Sequence, residues 1–195
     1  LVLTLALVLG TGCTTTPSPQ ASVPTTTAPG TVTTAAGAVS SPEATTTVYV
    51  SRAYGYRITY PRSCTLREED GGATVIITTP AESASDTFRE NLRIAVQDLS
   101  ASPMDLDTFV DSEMAIKKQG LASFNPILDG PVKIGTTNGR KLSYRATLGS
   151  TPMQWVEIYT IRGLTAYTLT FTAEESHYRF YVEGLDQTLK SFTLT

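Results

Sequence analysis

PVKIGTTNGRKLSYRATLGSTPMQWVEIYTIRGLTAYTLTFT, residues 131–172, decides the fold class. Within it Leu142, Tyr144, Ala146 and Leu148 fall on one face, and Lys141, Ser143, Arg145 and Thr147 on the other. Tyr167, Leu169 and Phe171 repeat the pattern further on. A period of two is the mark of a half-buried strand. Asn138-Gly139 is the strongest short hairpin signal and predicts a turn joining 131–136 to 140–148. Gly149 to Pro152 predicts a second turn, into 153–162, and Arg162-Gly163-Leu164 a third, into 165–172. Consecutive strands joined by such tight turns must run antiparallel.

Working outward, Tyr54, Tyr56, Ile58 and Tyr60 alternate with Gly55, Arg57 and Thr59 until Pro61 ends the strand. Ala73 to Thr79 is a β-branched run stopped by Pro80, and Leu92, Ile94 and Val96 alternate with Arg93, Ala95 and Gln97. Two segments switch to the helical period. Asp105 to Gln119 carries Leu106, Phe109, Val110 and Met114 on one stripe, with Asp105 as N-cap or a start at Ser102-Pro103, and Gly120 as C-cap. The second follows a capping box at Thr172-Ala173-Glu174-Glu175 and sets Tyr178, Tyr181, Val182, Leu185, Leu189 and Phe192 on one face. Strands in runs, with helices between and after them, read as α+β.

These segments, in this order, resemble the PsbP-like family, named for an extrinsic subunit of the oxygen-evolving photosystem. The matching pieces are Tyr54 to Pro61, Glu90 to Val96, Leu106-Asp107-Thr108-Phe109, Ala166 to Ala173 and Ser191-Phe192. The family often has Trp a few residues after the Tyr-Pro pair, where this chain has Cys64. The resemblance implies an antiparallel β-sheet sandwiched by helices. It also implies binding or assembly at a membrane surface rather than catalysis, and many prokaryotic members look like small exported lipoproteins. It carries over no functional residue and no photosynthetic role.

The N-terminal quarter differs in kind. Leu1 to Leu9 is apolar except for Thr4 and leads through Gly10-Thr11-Gly12 to Cys13. An apolar stretch before small residues is the pattern of an export signal, and it is shorter than the roughly 18 residues of a spanning helix. The site resembles a lipobox, in which the Cys is acylated, although Gly10 stands where Leu is usual. Residues 1–13 are therefore expected to be a signal peptide ending in a lipidation site at Cys13. An ordinary signal cut near Gly12 is the alternative. Acylation of Cys13 makes membrane lipid one partner and places the exported protein on the outer face of the cytoplasmic membrane or on another envelope membrane. It leaves Cys64 without a disulfide partner, as a buried small hydrophobe. Residues 14–47 hold twelve Thr and five Pro, with Glu43 the only charge. That composition predicts a disordered linker, since it offers too little apolar surface to offset the entropy of ordering. Residues 48–195 are then the PsbP-like domain.

The 195 residues carry a formal charge of −3. The charges are interspersed, without the basic footprint that nucleic acid requires or a polybasic patch for anionic lipid. Chemistry is sparse. His177 is the single histidine, and no Gly-x-Ser-x-Gly elbow accompanies it, so it reads as a surface or rim residue rather than a catalytic base. One His and two Cys do not predict zinc. Asp105, Asp107 and Asp111 fail the calcium-loop pattern because Val110 and Ile116 sit where Gly and Glu belong. They read instead as an acidic first turn. Glu68-Glu69-Asp70 before Gly71-Gly72 reads as a solvated turn. Arg57, Arg145, Glu157 and Arg162, with Trp155, are candidates for one sheet face that meets a partner.

The expected assignment is thus no catalytic residue, no metal and no cofactor, with another envelope protein as partner and no nucleic acid. The alternative is a ligand-binding carrier or hydrolase acting on an envelope glycan or lipid, with its pocket between the sheet and a helix.

Overall fold

The computed structural model describes residues 45–195. Cys13 and nearly all of the 14–47 segment lie outside the described residues. In chain order come β1 (Thr46–Ser51), β2 (Tyr56–Pro61), β3 (Thr65–Glu69), β4 (Thr74–Thr78), β5 (Asn91–Asp98), α1 (Leu106–Gly120), β6 (Ala122–Ile134), β7 (Thr137–Leu148), β8 (Thr151–Arg162), β9 (Thr165–Glu174), α2 (Tyr178–Ser191) and β10 (Thr193–Leu194). Seven strands form one sheet in the order β3-β4-β5-β9-β8-β7-β6, and β1-β2-β10 form a small second sheet. Every pairing is antiparallel.

Neighbouring residues of β8 show how the layers are built. Trp155 and Tyr159 pack with Phe109, Val110 and Met114 of α1. Val156 and Ile158 pack with Leu185 and Leu189 of α2 and with Tyr56 and Ile58 of the small sheet. Because successive side chains point to opposite faces, the two helices cover opposite sides of the sheet. Helix α2 shares its layer with the small sheet, and Phe192, at its C-cap, lies 5.3 Å from the Tyr56 ring. The sheet is therefore sandwiched as the family resemblance implies.

Several local readings change. The hairpin turn is Gly135-Thr136, since Ile134 pairs with Thr137, and Gly135 takes φ 57. Asn138 and Gly139 lie inside β7. Gly139 is required there for space: a Cβ would stand 2.7 Å from the Tyr159 carbonyl oxygen. Strand β6 begins well before residue 131, and its Pro126 and Pro131 are tolerated because it is the sheet's edge. The Thr172–Glu175 capping box does not form. Thr172 pairs with Asn91 and Glu174 with Met153, so strand β9 occupies that backbone, and His177 caps α2 without a side-chain bond. Glu68 and Glu69 belong to β3, and only Asp70–Gly72 turns. Asp105 does cap α1, accepting from the Thr108 amide at 2.8 Å. Gly120 is the last residue of that helix, and Leu121 is its C-cap.

Candidate functional site

Three segments distant in sequence meet at the start of α2. Glu82 comes from the loop between β4 and β5, and Glu90 from the residue before β5. Glu174 ends β9, and His177 is the α2 N-cap. The His177 Nδ1 lies 3.3 Å from Glu82 Oε2, 3.3 Å from Glu174 Oε2 and 3.8 Å from Glu90 Oε1. The Tyr181 hydroxyl, one turn into the helix, donates to Glu82 Oε1 at 2.5 Å. Glu90 has no exposed surface, and neither carboxylate oxygen has a hydrogen-bond partner. Burial pushes its carboxyl above the usual range and the negative Glu82 adds to this, against the opposing pull of its own backbone amide, of Tyr181 and of His177. Burial and the bond to Glu82 likewise raise the Tyr181 hydroxyl.

A second buried acid has the opposite surroundings. Glu157, on β8 beneath α1, is 1% exposed. It accepts from the Tyr159 hydroxyl at 2.6 Å and from the Thr170 hydroxyl at 3.1 Å. Lys117 of α1 reaches it at 3.5 Å, and also donates to the Tyr159 oxygen at 2.8 Å and to Glu113 at 3.2 Å. Burial, reinforced by the Glu157 charge, holds the Tyr159 hydroxyl far above its ordinary range, so it stays a donor. This network is complete and pins α1 to the sheet.

The candidates for a shared binding face do not come together. Glu157 is buried, and Trp155 stacks on Tyr144 in the α1 core at 5.3 Å. Arg57 donates to the Thr193 hydroxyl, Arg162 to the Thr195 carbonyl, and Arg145 pairs with Glu175 at 3.2 Å. Asp107 and Asp111 face Arg140, whose guanidinium also grips Asp129 through two bonds of 2.7 Å. Cys64 is half-buried against the α2-side core, and burial pushes its thiol up, away from thiolate reactivity.

One cleft runs beside α2. It has a volume of about 420 Å³ and is walled by Val156, Tyr178, Val182, Leu185 and Leu189, with Lys141, Lys190, Glu183 and Asp186 on its rim. Phe180 and Val182 of α2 and Val48 and Val50 of β1 are apolar residues left facing solvent.

No family model and no curated protein matches the chain. Solved structures do. Cyanobacterial PsbP (CyanoP) from Synechocystis matches with a TM-score of 0.60 at 17% identity, over 83% of this chain and 98% of that one. The fold is PsbP-like. LpqN of Mycobacterium tuberculosis, a protein involved in cell envelope biogenesis, matches at TM-score 0.56 and 11% identity, over 72% of this chain and 83% of that one. A Pseudomonas aeruginosa protein of unknown function, PA94, matches at 0.55 and 13%, over 76% and 96%. The PsbP-like segments of the sequence supply much of this chain's core on the α2 side. Ile58, Leu92, Ile94, Leu169, Phe171 and Phe192 all converge in the layer between the sheet and α2. The resemblance is thus one of packing.

Among the described residues, none of the helices is long and apolar enough to cross a membrane. The acid–histidine corner is the feature that sequence reading missed. Only Glu174 stands near His177 in the chain, and no local pattern links either to Glu82 or Glu90.

Proposed function

We propose that this protein is a non-catalytic binding or assembly module of the cell envelope, tethered outside the cytoplasmic membrane by a lipid on Cys13. The domain, on this reading, stands off the membrane on the Thr/Pro-rich linker and acts on another envelope protein. The observation that carries the reading is the PsbP-like fold shared with LpqN, whose role is in envelope biogenesis. The apolar run ending in Cys13 supports export. Solvent-facing Val48, Val50, Phe180 and Val182 are suited to contact, since apolar side chains gain by leaving water. Stable anchoring takes more than one acyl chain, so the acylated Cys13 is expected to carry at least two.

Two measurements test this. Mass spectrometry of the mature N-terminus is expected to find an acylated Cys13; a free amine at any later residue overturns the anchor. Pull-down from solubilised envelope with the intact protein is expected to recover a partner that a linker-only control does not. Recovery of nothing above that control removes the assembly role.

The cleft beside α2 favours a second reading, a carrier of an envelope lipid or glycan. Its volume is that of a small-ligand site, with apolar walls and a rim on which Lys141 and Lys190 alternate with Glu183 and Asp186. Native mass spectrometry of protein purified from its own membrane would show a bound adduct. Its loss on Val182→Glu would assign the adduct to the cleft.

A further inference from the structure

The acid–histidine corner at the start of α2 has a surplus of negative charge that the described residues do not neutralise. Three carboxylates, from Glu82, Glu90 and Glu174, face one imidazole. Even with His177 protonated, the group would stay negative. Glu90 makes the imbalance acute, because a carboxylate with no exposed surface and no hydrogen bond is among the costliest groups a protein can bury. The positive end of the α2 dipole favours nearby acids, yet none of its amides reaches Glu90. One ligand atom from each of Glu82, Glu90 and His177 fits within a set whose members lie within 4.8 Å of one another.

We propose that this corner is a divalent transition-metal site, with His177, Glu90 and Glu82 as its three protein ligands. The separations of 3.3 Å from His177 to Glu82 and 3.8 Å to Glu90 are near the ligand–ligand edge of a tetrahedral site, about 3.4 Å for bonds of about 2.1 Å. One imidazole nitrogen among carboxylate oxygens suits zinc or manganese better than the all-oxygen shells of calcium and magnesium. Tyr181 has the matching supporting role: its hydroxyl bonds the Glu82 oxygen that does not face His177 and so holds that carboxylate in place. A bound ion joins the β4–β5 loop and the start of β5 to the start of α2. It also adds a full positive charge beside Glu90, whose nearest basic group is His177 Nδ1 at 3.8 Å. This site is independent of what the domain docks to.

Calorimetric titration of the full chain tests the assignment, with thiols alkylated so that Cys13 and Cys64 do not compete. Zinc chloride and manganese chloride are titrated separately, with magnesium and calcium chlorides as controls. The expected result is one saturable site per chain for zinc or manganese. Affinity should fall roughly tenfold or more in both His177→Ala and Glu90→Gln. The same ion should raise the wild-type Tm and leave both variants unmoved. Far-UV circular dichroism establishes that each variant is folded; His177 is partly exposed, so its loss opens no core cavity. Absence of a saturable site for both metals, or wild-type affinity in either variant, overturns the proposal.

Discussion

Glu157 beneath α1 and Glu90 at the start of α2 are 1% and 0% exposed, yet their surroundings could hardly differ more. Glu157 accepts from two hydroxyls and faces an ammonium. Glu90 accepts no hydrogen bond and faces two further acids across a histidine. A buried charge that is fully paired holds structure together, and removing a partner from it is costly. A buried charge left unpaired destabilises the fold unless something outside the chain completes it. The contrast therefore separates an acid that the fold itself satisfies from one that, on the metal-site proposal, a bound ion completes.

The largest expected effect is on the paired side. Lys117→Met keeps the packing volume but strips Glu157 of its cation, and chemical denaturation should show a loss of about 3 kcal/mol. A change under 1 kcal/mol would show that the hydroxyls alone carry Glu157. Next comes one substitution applied to both acids. Glu157→Gln sets an amide against two hydroxyl donors and is expected to cost about 2 kcal/mol. Glu90→Gln, in the presence of EDTA, removes an unpaired buried charge and is expected to gain about 1 kcal/mol. Equal signs would break the comparison.

Acid sharpens it further. Burial raises the Glu90 carboxyl above its ordinary 4.5, so the metal-free folded chain holds that proton more tightly than the unfolded chain. Stability from this group is then fully present below about pH 4.5 and is lost as pH rises through the raised value. The advantage of Glu90→Gln over the wild type should accordingly be present at neutral pH and vanish near pH 4. Smallest of all, Arg145→Ala breaks an exposed pair with Glu175 and should change stability by less than about 0.5 kcal/mol.

Much of the fold was legible in the residues because strand alternation and helix period are local. The faces of β7 and β9, the Asp105 cap and the stripe of α2, apart from solvent-facing Val182, follow from neighbours a few residues apart. The errors arose where a local signal competed with pairing at a distance. Asn138-Gly139 has turn chemistry, but the β6–β7 register places the turn at Gly135, and Gly139 answers instead to the Tyr159 carbonyl across the β7–β8 ladder. Thr172 to Glu175 reads as a capping box, but β5 and β8 hold Thr172 and Glu174 in the sheet. The early part of β6 was hidden because Pro126 and Pro131 break alternation, and only its edge position explains their tolerance.

The candidate site shows the same division more sharply. His177 alone read as a rim residue, and that is a fair account of one imidazole at a helix start. By itself the sequence determined the α+β class, the antiparallel order of 131–172 and the apolar faces, since backbone geometry imposes these over a few residues. Tertiary structure alone decided which glutamates meet a partner. Glu82 and Glu90 reach His177 only when β5 is laid beside β9 and α2 folds back over the sheet, and Glu157 finds Lys117 only when α1 covers β8. No periodicity encodes those meetings, because they depend on chain closure across the whole domain.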